Sequence, residues 1–423
     1  MFDFYKEYTQ ILKEELVAAL GCTEPISLAY AAAKCKEYLL NEPEKITVLC
    51  SGNIIKNVKT VVVPNSNGLK GIETAVALGM IGGSASKNLE VLSNVTEEDI
   101  EKTKKYLSEN RISVNLLKTQ ANLHFQIKME NEQHSSFVEV VHTHTNIVKL
   151  EQDNKKIISL PFEEKEINDS LTDRSILNIN SIVEYGENID LESIKPIIEP
   201  QIEFNSKICE RGLKEDWGAN VGRNILEHGD SSLVSKIKGI TAAGSDARMS
   251  GCVSPVIINS GSGNQGITVS IPVVEYGKAK NFSHEKILRA LAISNLIGIH
   301  QKTKIGRLSA YCGTVTAACG AGAAITWLDG GSMVQIKNTI TNALATISGM
   351  ICDGAKPSCA AKIAMAVETA LLAHDMAMDN ESFLSGDGIV KSNIEDTIKS
   401  IGLIASEGMK YTDEKILSVM IQR

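Results

Sequence analysis

The stretch Ile351-Cys352-Asp353-Gly354-Ala355-Lys356-Pro357-Ser358-Cys359 sets the organisation of the C-terminal half of the chain. Gly354 and Pro357 break any helix that ends near Cys352, since proline lacks the backbone donor that a helix needs. Pro357 is then suited to open the next helix, which leaves Cys359 in its first turn. The break therefore predicts that the chain folds back and brings two thiols near one another. Two cysteines alone do not complete a metal site.

A third thiol is available from Cys312 or Cys319, which are separated by the same seven-residue step but by no proline. Seven residues on a helix return to nearly the same face about 10 Å further along, so both thiols cannot easily reach one compact cluster. We therefore expect one of them to bind metal and the other to pack. Three thiolates leave one iron of a [4Fe–4S] cluster open as a Lewis acid, whereas electron-transfer clusters usually take four. Zinc with three cysteines and an open position is the competing interpretation.

Cys22 lies in the turn Leu20-Gly21-Cys22-Thr23-Glu24-Pro25, between a first helix that ends at Gly21 and a second that Pro25 opens. Backbone N–H groups at a helix N-terminus favour a thiolate and lower the pKa of a cysteine. The thiol could therefore act as a base or a nucleophile. The alternative is a turn cysteine with no role. Cys35, among alanines of the second helix, is expected in the core.

Two glycine-containing polar loops could bind an anion such as a carboxylate, because glycine lets backbone amides approach a ligand closely. The first is Ser51-Gly52-Asn53, followed by Lys56-Asn57, and the second is the run from Ser260 to Gly266. Ordinary hairpin or crossover turns are the alternative.

His142 and His144 end a strand and share one face. They could form a metal pair, but the more favoured interpretation is a solvated strand end.

The periodicity predicts an α+β fold in which a mainly helical domain is formed by both ends of the chain and a small α+β domain is inserted. Residues 1–90 and 201–423 form the two helical parts, and residues 91–200 form the insert. Helices are expected at 3–20, from Pro25 to Leu40, at 72–82 and at 96–110, and a mixed segment at 165–205. Strands are expected at 45–50, 59–63, 113–117, 122–129, 136–142 and 145–152, with extended runs at 253–260 and 267–274.

Composition limits the classes of function. The 423 residues carry a net charge of −8 with no basic tract, which argues against a nucleic-acid partner. The N-terminus lacks the pattern of a signal peptide, and nine cysteines form an odd set, so free thiols in a cytoplasmic protein are expected. The uncharged run 308–328 is rich in alanine and glycine, which favours a buried helix over a membrane span.

Several segments together resemble the L-cysteine desulfidases, a family related to the iron–sulfur L-serine dehydratase alpha chains. The segments that carry the resemblance span almost the whole chain, and the last is the most specific. They are Ala19–Pro25, Ser51–Asn53 with Lys56-Asn57, Ser262–Gly266, Leu308–Gly313 and Ser348–Cys359.

The resemblance implies that Cys22 is the base that abstracts the substrate proton and that Cys312, Cys352 and Cys359 hold a [4Fe–4S] cluster. It implies α,β-elimination of L-cysteine to sulfide, pyruvate and ammonium in an oxygen-sensitive homodimer that acts on a small amino acid. The expected substrate-binding residues are Asn53, Lys56, Asn57, Ser262, Asn264, Gln265 and Lys356. Iron–sulfur L-serine dehydratase, a non-catalytic iron–sulfur redox sensor and a metal-free binding protein are the alternatives.

Overall fold

The protein is described here from a computed structural model that covers residues 4–164 and 171–421. Residue 3 of the predicted first helix and residues 165–170 of the predicted mixed segment lie outside this range. The described chain is a mixed α+β structure in which helices predominate. Among its helices, none has both the length and the apolar composition needed to cross a bilayer.

The helices of the described part are, in chain order, α1 (Tyr5–Glu15), α2 (Thr23–Glu37), α3 (Gly52–Val58), α4 (Ile72–Gly82), α5 (Glu97–Ser108), α6 (Ile179–Asn188), α7 (Leu191–Lys214), α8 (Val221–His228), α9 (Leu233–Met249), α10 (Gly263–Ala279), α11 (His284–Ile305), α12 (Gly313–Leu328), α13 (Met333–Ile347), α14 (Cys359–Met378), α15 (Ile394–Leu403) and α16 (Lys410–Ile421). The strands are β1 (Ala18–Leu20), β2 (Lys45–Cys50), β3 (Ile112–Leu116), β4 (His124–Glu130), β5 (Ser135–Val141), β6 (Ile147–Gln152), β7 (Lys155–Ser159) and β8 (Pro255–Ile257). A 3₁₀ segment (Ala85–Glu90) and a π-helical turn (Ile404–Gly408) complete the set.

One mixed sheet has the strand order β3-β2-β4-β5-β6-β7. β2 pairs parallel with β3 and antiparallel with β4, and the remaining neighbours are antiparallel. The inserted domain that we propose for residues 91–200 therefore shares its sheet with a strand from the N-terminal segment. α2 packs against this sheet and against α4, and α11 to α14 pack together in a second, helical core.

A separate two-stranded ribbon determines where the N-terminal turn lies. β1 pairs antiparallel with β8, with Ala18 opposite Ile257 and Leu20 opposite Pro255. The turn that follows β1 and the loop that follows β8 consequently lie side by side. The hydroxyl of Thr23 donates to the carbonyl of Gly261 at 2.9 Å, which fixes this contact across 238 residues of sequence.

Most predicted elements are confirmed, but three are wrong. The first helix ends at Glu15 rather than at residue 20, because residues 18–20 pair with β8. The run 59–63 makes only an isolated bridge, between Val62 and Lys70, that closes the loop around Pro64. The run 267–274 lies within α10. A short apolar run that is buried on all sides has no period that separates strand from helix.

Gly21 offers a test of the turn after β1. Its φ is +51°, and a Cβ there would lie 2.3 Å from Cγ of Pro64. We expect Gly21→Ala to lower the free energy of unfolding by about 2–4 kcal/mol, since a left-handed backbone and an overpacked contact both oppose the side chain. Gly68→Ala is the matched control, because Gly68 has φ +86° but open space around it, and about 1–2 kcal/mol is expected. Equal losses in urea unfolding would contradict the close approach to Pro64.

Candidate active site

A small cavity of about 90 Å³ brings together residues from the N-terminal and C-terminal segments of the chain. Its wall contains most of the site residues predicted from the sequence. These are Cys22, Asn57, Ser262, Asn264, Gln265, Cys312, Cys352 and Cys359. Segments more than 300 residues apart in sequence therefore contribute to one site.

A backbone bridge places two of the three proposed cluster thiols side by side. Tyr311 and Ile351 form an isolated antiparallel bridge. The N–H of Cys312 donates to the carbonyl of Met350 at 3.0 Å, and the N–H of Cys352 donates to the carbonyl of Ala310 at 2.6 Å. The segment before α12 and the loop before α14 are thus held together at the two cysteines.

The third thiol, Cys359, begins α14 and lies close enough to the other two for their charges to interact. Burial, together with the negative charge of Cys352 and, to a smaller extent, of Cys312, raises the pKa of the Cys359 thiol to about 12. Lys362 acts in the opposite direction on the pKa of Cys359 and of Cys312. Three adjacent thiols with a nearby cation form a donor set that suits soft metals, because a bound metal removes the thiol protons.

Whether the site could bind an iron–sulfur cluster depends on these three thiols. In residues 4–164 and 171–421, no three His, Cys, Asp or Glu side chains form a ready-made site for a metal ion. Cys312, Cys352 and Cys359 nevertheless line the same cavity, and Lys362 and Arg248 lie close enough to offset negative charge. Cysteine thiolates are the ligands that iron–sulfur clusters take. These three residues are therefore the ones that could hold such a cluster.

Cys319 is not part of this group. Its thiol is buried in the helical core and donates to the carbonyl of Ile340 at 3.8 Å. Cys312 is the residue before α12, whereas Cys319 lies two turns inside that helix. The seven-residue step separates the two thiols as the helix argument predicted. Cys35 is likewise buried, and its sulfur lies 3.1 Å from the hydroxyl of Ser136.

Cys22 precedes α2, and its thiol donates to Oε2 of Glu24 at 3.0 Å. The expectation of a lowered pKa is wrong. Burial, together with the negative charge of Glu24, raises the pKa of Cys22 well above its usual value of 9.0. The helix N-terminus does not outweigh these two effects. At neutral pH the residue is a thiol hydrogen-bonded to a carboxylate.

Glu24 is the second member of this pair, and the sequence argument did not assign it a role. Burial alone would raise its pKa, but His144, the Cys22 thiol and Arg248 together hold it below the usual value of 4.5. Its Oε1 accepts from the amide of Asn57 at 3.2 Å. The carboxylate is therefore ionised inside a buried site. The position of Glu24 two residues after Cys22 was the one sequence feature that could have indicated its role.

The two histidines after β5 are buried, so the prediction of a solvated strand end is wrong. His142 bonds through Nε2 to the carbonyl of Glu163 at 2.7 Å. His144 lies beside Gly261 and Glu24, and burial lowers its pKa to about 4, which leaves it neutral at neutral pH. The turn after β5 folds His144 inward against the loop after β8, a contact that strand alternation cannot reveal.

Three predicted substrate-binding residues do not line the cavity. Asn53 donates to the side chain of Asn122 at 3.3 Å. Lys56 is buried in an ion pair with Asp413 and also donates to the carbonyl of Cys352 at 3.4 Å. Lys356 pairs with Asp353 at 3.0 Å. The side-chain nitrogen of each residue is thus engaged outside the cavity, whereas Oδ1 of Asn53 has no partner among the described residues. Arg248 lines the wall instead, without any local sequence signal.

The chain is similar to known proteins over most of its length. A family model described as "Serine dehydratase alpha chain" matches residues 86–418. A "UPF0597 protein" of Lachnoclostridium phytofermentans is 52% identical over 417 residues, which cover 99% of this chain and 100% of that protein. Proteins of the same name from Treponema denticola and Finegoldia magna are 48% and 49% identical, each over 99% of this chain and over 98% and 100% of their own lengths.

The matched region contains the cysteines around the cavity except Cys22, together with Arg248 and the loop after β8. The relatives extend the likeness over the N-terminal segment that carries Cys22. Family membership indicates a dehydratase or lyase type of enzyme of the iron–sulfur class. The chain belongs to the serine dehydratase alpha chain family.

Proposed function

We propose that the protein is an L-cysteine desulfidase, which converts L-cysteine by α,β-elimination to sulfide, pyruvate and ammonium. The observation that supports it most directly is the shared cavity. Three thiols line the same cavity as a further cysteine, Cys22, that is hydrogen-bonded to an ionised carboxylate. One set provides ligands for a [4Fe–4S] cluster and the other provides a base. When bound through Cys312, Cys352 and Cys359, the cluster supplies a Lewis-acidic iron that makes the substrate more acidic.

The Cys22–Glu24 pair can accept one proton and leave both of its own side chains uncharged. As the sulfur of Cys22 takes the substrate α-proton, its own thiol proton passes to Glu24, so that both residues end neutral. A thiolate of high pKa is a strong base, which suits a weakly acidic C–H bond. The electron pair of that bond then forms the Cα–Cβ double bond, and sulfide leaves from Cβ. The aminoacrylate tautomerises and is hydrolysed to pyruvate and ammonium.

L-Serine is the second candidate substrate, because the family match is to serine dehydratase alpha chains. The same proton abstraction would be followed by loss of hydroxide. Sulfide is the better leaving group, so the Cys22–Glu24 base could act on L-cysteine with less assistance at Cβ. Comparison of kcat/KM for L-cysteine and L-serine distinguishes the two candidates.

Anaerobically reconstituted protein should release sulfide and pyruvate in equal amounts from L-cysteine, with a higher kcat/KM than for pyruvate formation from L-serine. D-Cysteine should be inert, since its α-proton lies on the other face. Pyruvate from L-serine with none from L-cysteine would establish the second candidate. Turnover of neither substrate by protein that contains iron would overturn both.

Iron binding can be tested separately from turnover. Cys312→Ser, Cys352→Ser and Cys359→Ser should each lower the iron and acid-labile sulfide per chain sharply, because serine is a poor ligand for a soft metal. Cys319→Ser is the matched control and should retain the cluster, since its thiol points to Ile340. Full iron content in Cys352→Ser would contradict the ligand assignment.

The Cys22–Glu24 pair predicts a distinctive pH dependence. Because the pKa of Glu24 is held below 4.5, the acceptor stays ionised, and kcat of the wild type should be constant between about pH 6 and 8. Glu24→Gln cannot accept the thiol proton, so its rate should be about 10²- to 10⁴-fold lower near pH 7 and should rise with pH as the Cys22 thiolate forms. Cys22→Ala should be equally slow at every pH.

Iron content is the control for both variants and should equal that of the wild type. A flat pH profile with a normal rate in Glu24→Gln would exclude the pair as the base. Loss of iron in Cys22→Ala would instead make Cys22 a fourth cluster ligand.

A further inference from the structure

Arg248 carries a buried guanidinium group whose hydrogen bonds are incomplete. It lies in the last turn of α9, its side chain is 3% exposed, and it lines the cavity. Its Nε has no hydrogen-bond partner among the described residues. A buried donor without a partner is costly, more so on a charged group. A ligand that accepts hydrogen bonds in the cavity would remove this cost.

The neighbouring chain leaves room for this guanidinium. A Cβ on Gly263 would lie 2.3 Å from Nε of Arg248 and 2.8 Å from its Cζ. Glycine at the start of α10 therefore allows the guanidinium to lie against the backbone of the loop after β8. The negative groups around Arg248 are Cys22, Glu24 and Cys359 when ionised, and burial is the largest influence on its pKa, which it lowers.

Unpaired acceptors lie in the same cavity. Within the part of the chain that the structure describes, Oδ1 of Asn57 and Oδ1 of Asn264 are buried without a donor, and both residues line the cavity. Asn57 uses its amide nitrogen on Glu24, so its oxygen is directed elsewhere. Amide oxygens accept from an ammonium group, and a guanidinium group donates to a carboxylate in a planar fork. A buried guanidinium with a free Nε donor and two acceptors without donors are complementary to the zwitterion of a free α-amino acid.

We propose that Arg248 binds the α-carboxylate of the substrate and that Asn57 and Asn264 bind its α-ammonium. This rests on the proposed function in that it names the contacts that select the substrate at the same site. Arg307 also lines the cavity, but its guanidinium donates to Glu15 at 3.0 Å. The site therefore accepts free α-amino acids and excludes decarboxylated amines and residues within a peptide.

Binding is measured with L-alanine, which has no β-leaving group and cannot be eliminated. Calorimetry on the anaerobically reconstituted protein should show binding of L-alanine and weaker or no binding of ethylamine, which lacks the carboxylate, and of propionate, which lacks the ammonium. Arg248→Gln should raise the Kd of L-alanine about 10- to 100-fold, as expected for a lost hydrogen bond to a charged group. Arg248→Lys should recover only part of this loss, because lysine cannot form the planar fork.

Two further variants keep the test decisive. Arg211→Gln is the matched control, because Arg211 bonds Glu215 and Ser254 and does not line the cavity, and it should leave the Kd unchanged. If Arg248→Gln does not fold, Gly263→Ala replaces it. The added Cβ would displace the guanidinium but retain its charge, and it should also raise the Kd of L-alanine.

The outcomes distinguish this inference from the proposed function. An unchanged Kd for L-alanine in Arg248→Gln, or in Gly263→Ala, would overturn it even if L-cysteine is turned over. Loss of iron from Arg248→Gln with an unchanged Kd would reduce Arg248 to a balancing charge for the thiolates and would also overturn it. Selective binding of L-alanine that is lost in the variants would support it even if neither L-cysteine nor L-serine reacts.

Discussion

Three residue pairs between β1 and β8 hold the two halves of the site together. They join segments of the chain that are more than 200 residues apart, and the entropy lost in closing such a loop has to be offset by packing elsewhere. The hydrogen bond from Thr23 to Gly261 continues the contact into the cavity. Cys22, the loop after β8 and the three cysteines at 312, 352 and 359 consequently come together only when both cores are folded. No part of the chain could contain the site alone.

Burial then decides the charge of each group around the cavity. Glu24 remains ionised because its partners outweigh burial, whereas Cys22 and His144 remain neutral because burial dominates. A thiol beside a carboxylate therefore lies at the start of α2. The low polarity around it disfavours the thiolate, which is why the pKa of Cys22 is raised despite the helix N-terminus.

Local sequence patterns predicted those parts of the structure that are determined by residues close together in the sequence. The proline-broken turn before Cys359, the turn at Cys22 and the strands at 45–50 and 112–152 follow from glycine, proline and alternation. The helix over 263–279 did not, because Ser262 begins a helix that is apolar on every side and therefore has no readable period. The raised pKa of Cys22 escaped prediction for a related reason, since burial depends on segments far along the chain. Arg248 is recognisable as a candidate binding residue only from the folded structure, in which Gly263 lies against its guanidinium and two asparagine oxygens without donors line the same cavity.

Lys56, which the sequence placed in a polar loop, lies in α3 and serves the site without lining it. The ammonium of Lys56 is paired with Asp413 of α16 and donates to the carbonyl of Cys352. The backbone is also close, since a Cβ on Gly354 would lie 2.4 Å from the carbonyl oxygen of Lys56. The C-terminal helix thus supplies the charge that allows a buried lysine to hold the loop carrying Cys352. Removing one member of a buried ion pair leaves the other uncompensated, so this pair is a constraint on the position of that loop. The backbone bridge at Tyr311 constrains the same cysteine from the other side. Cys352 is therefore held in position by Lys56 of α3, by the segment before α12 and, through the Lys56–Asp413 pair, by α16.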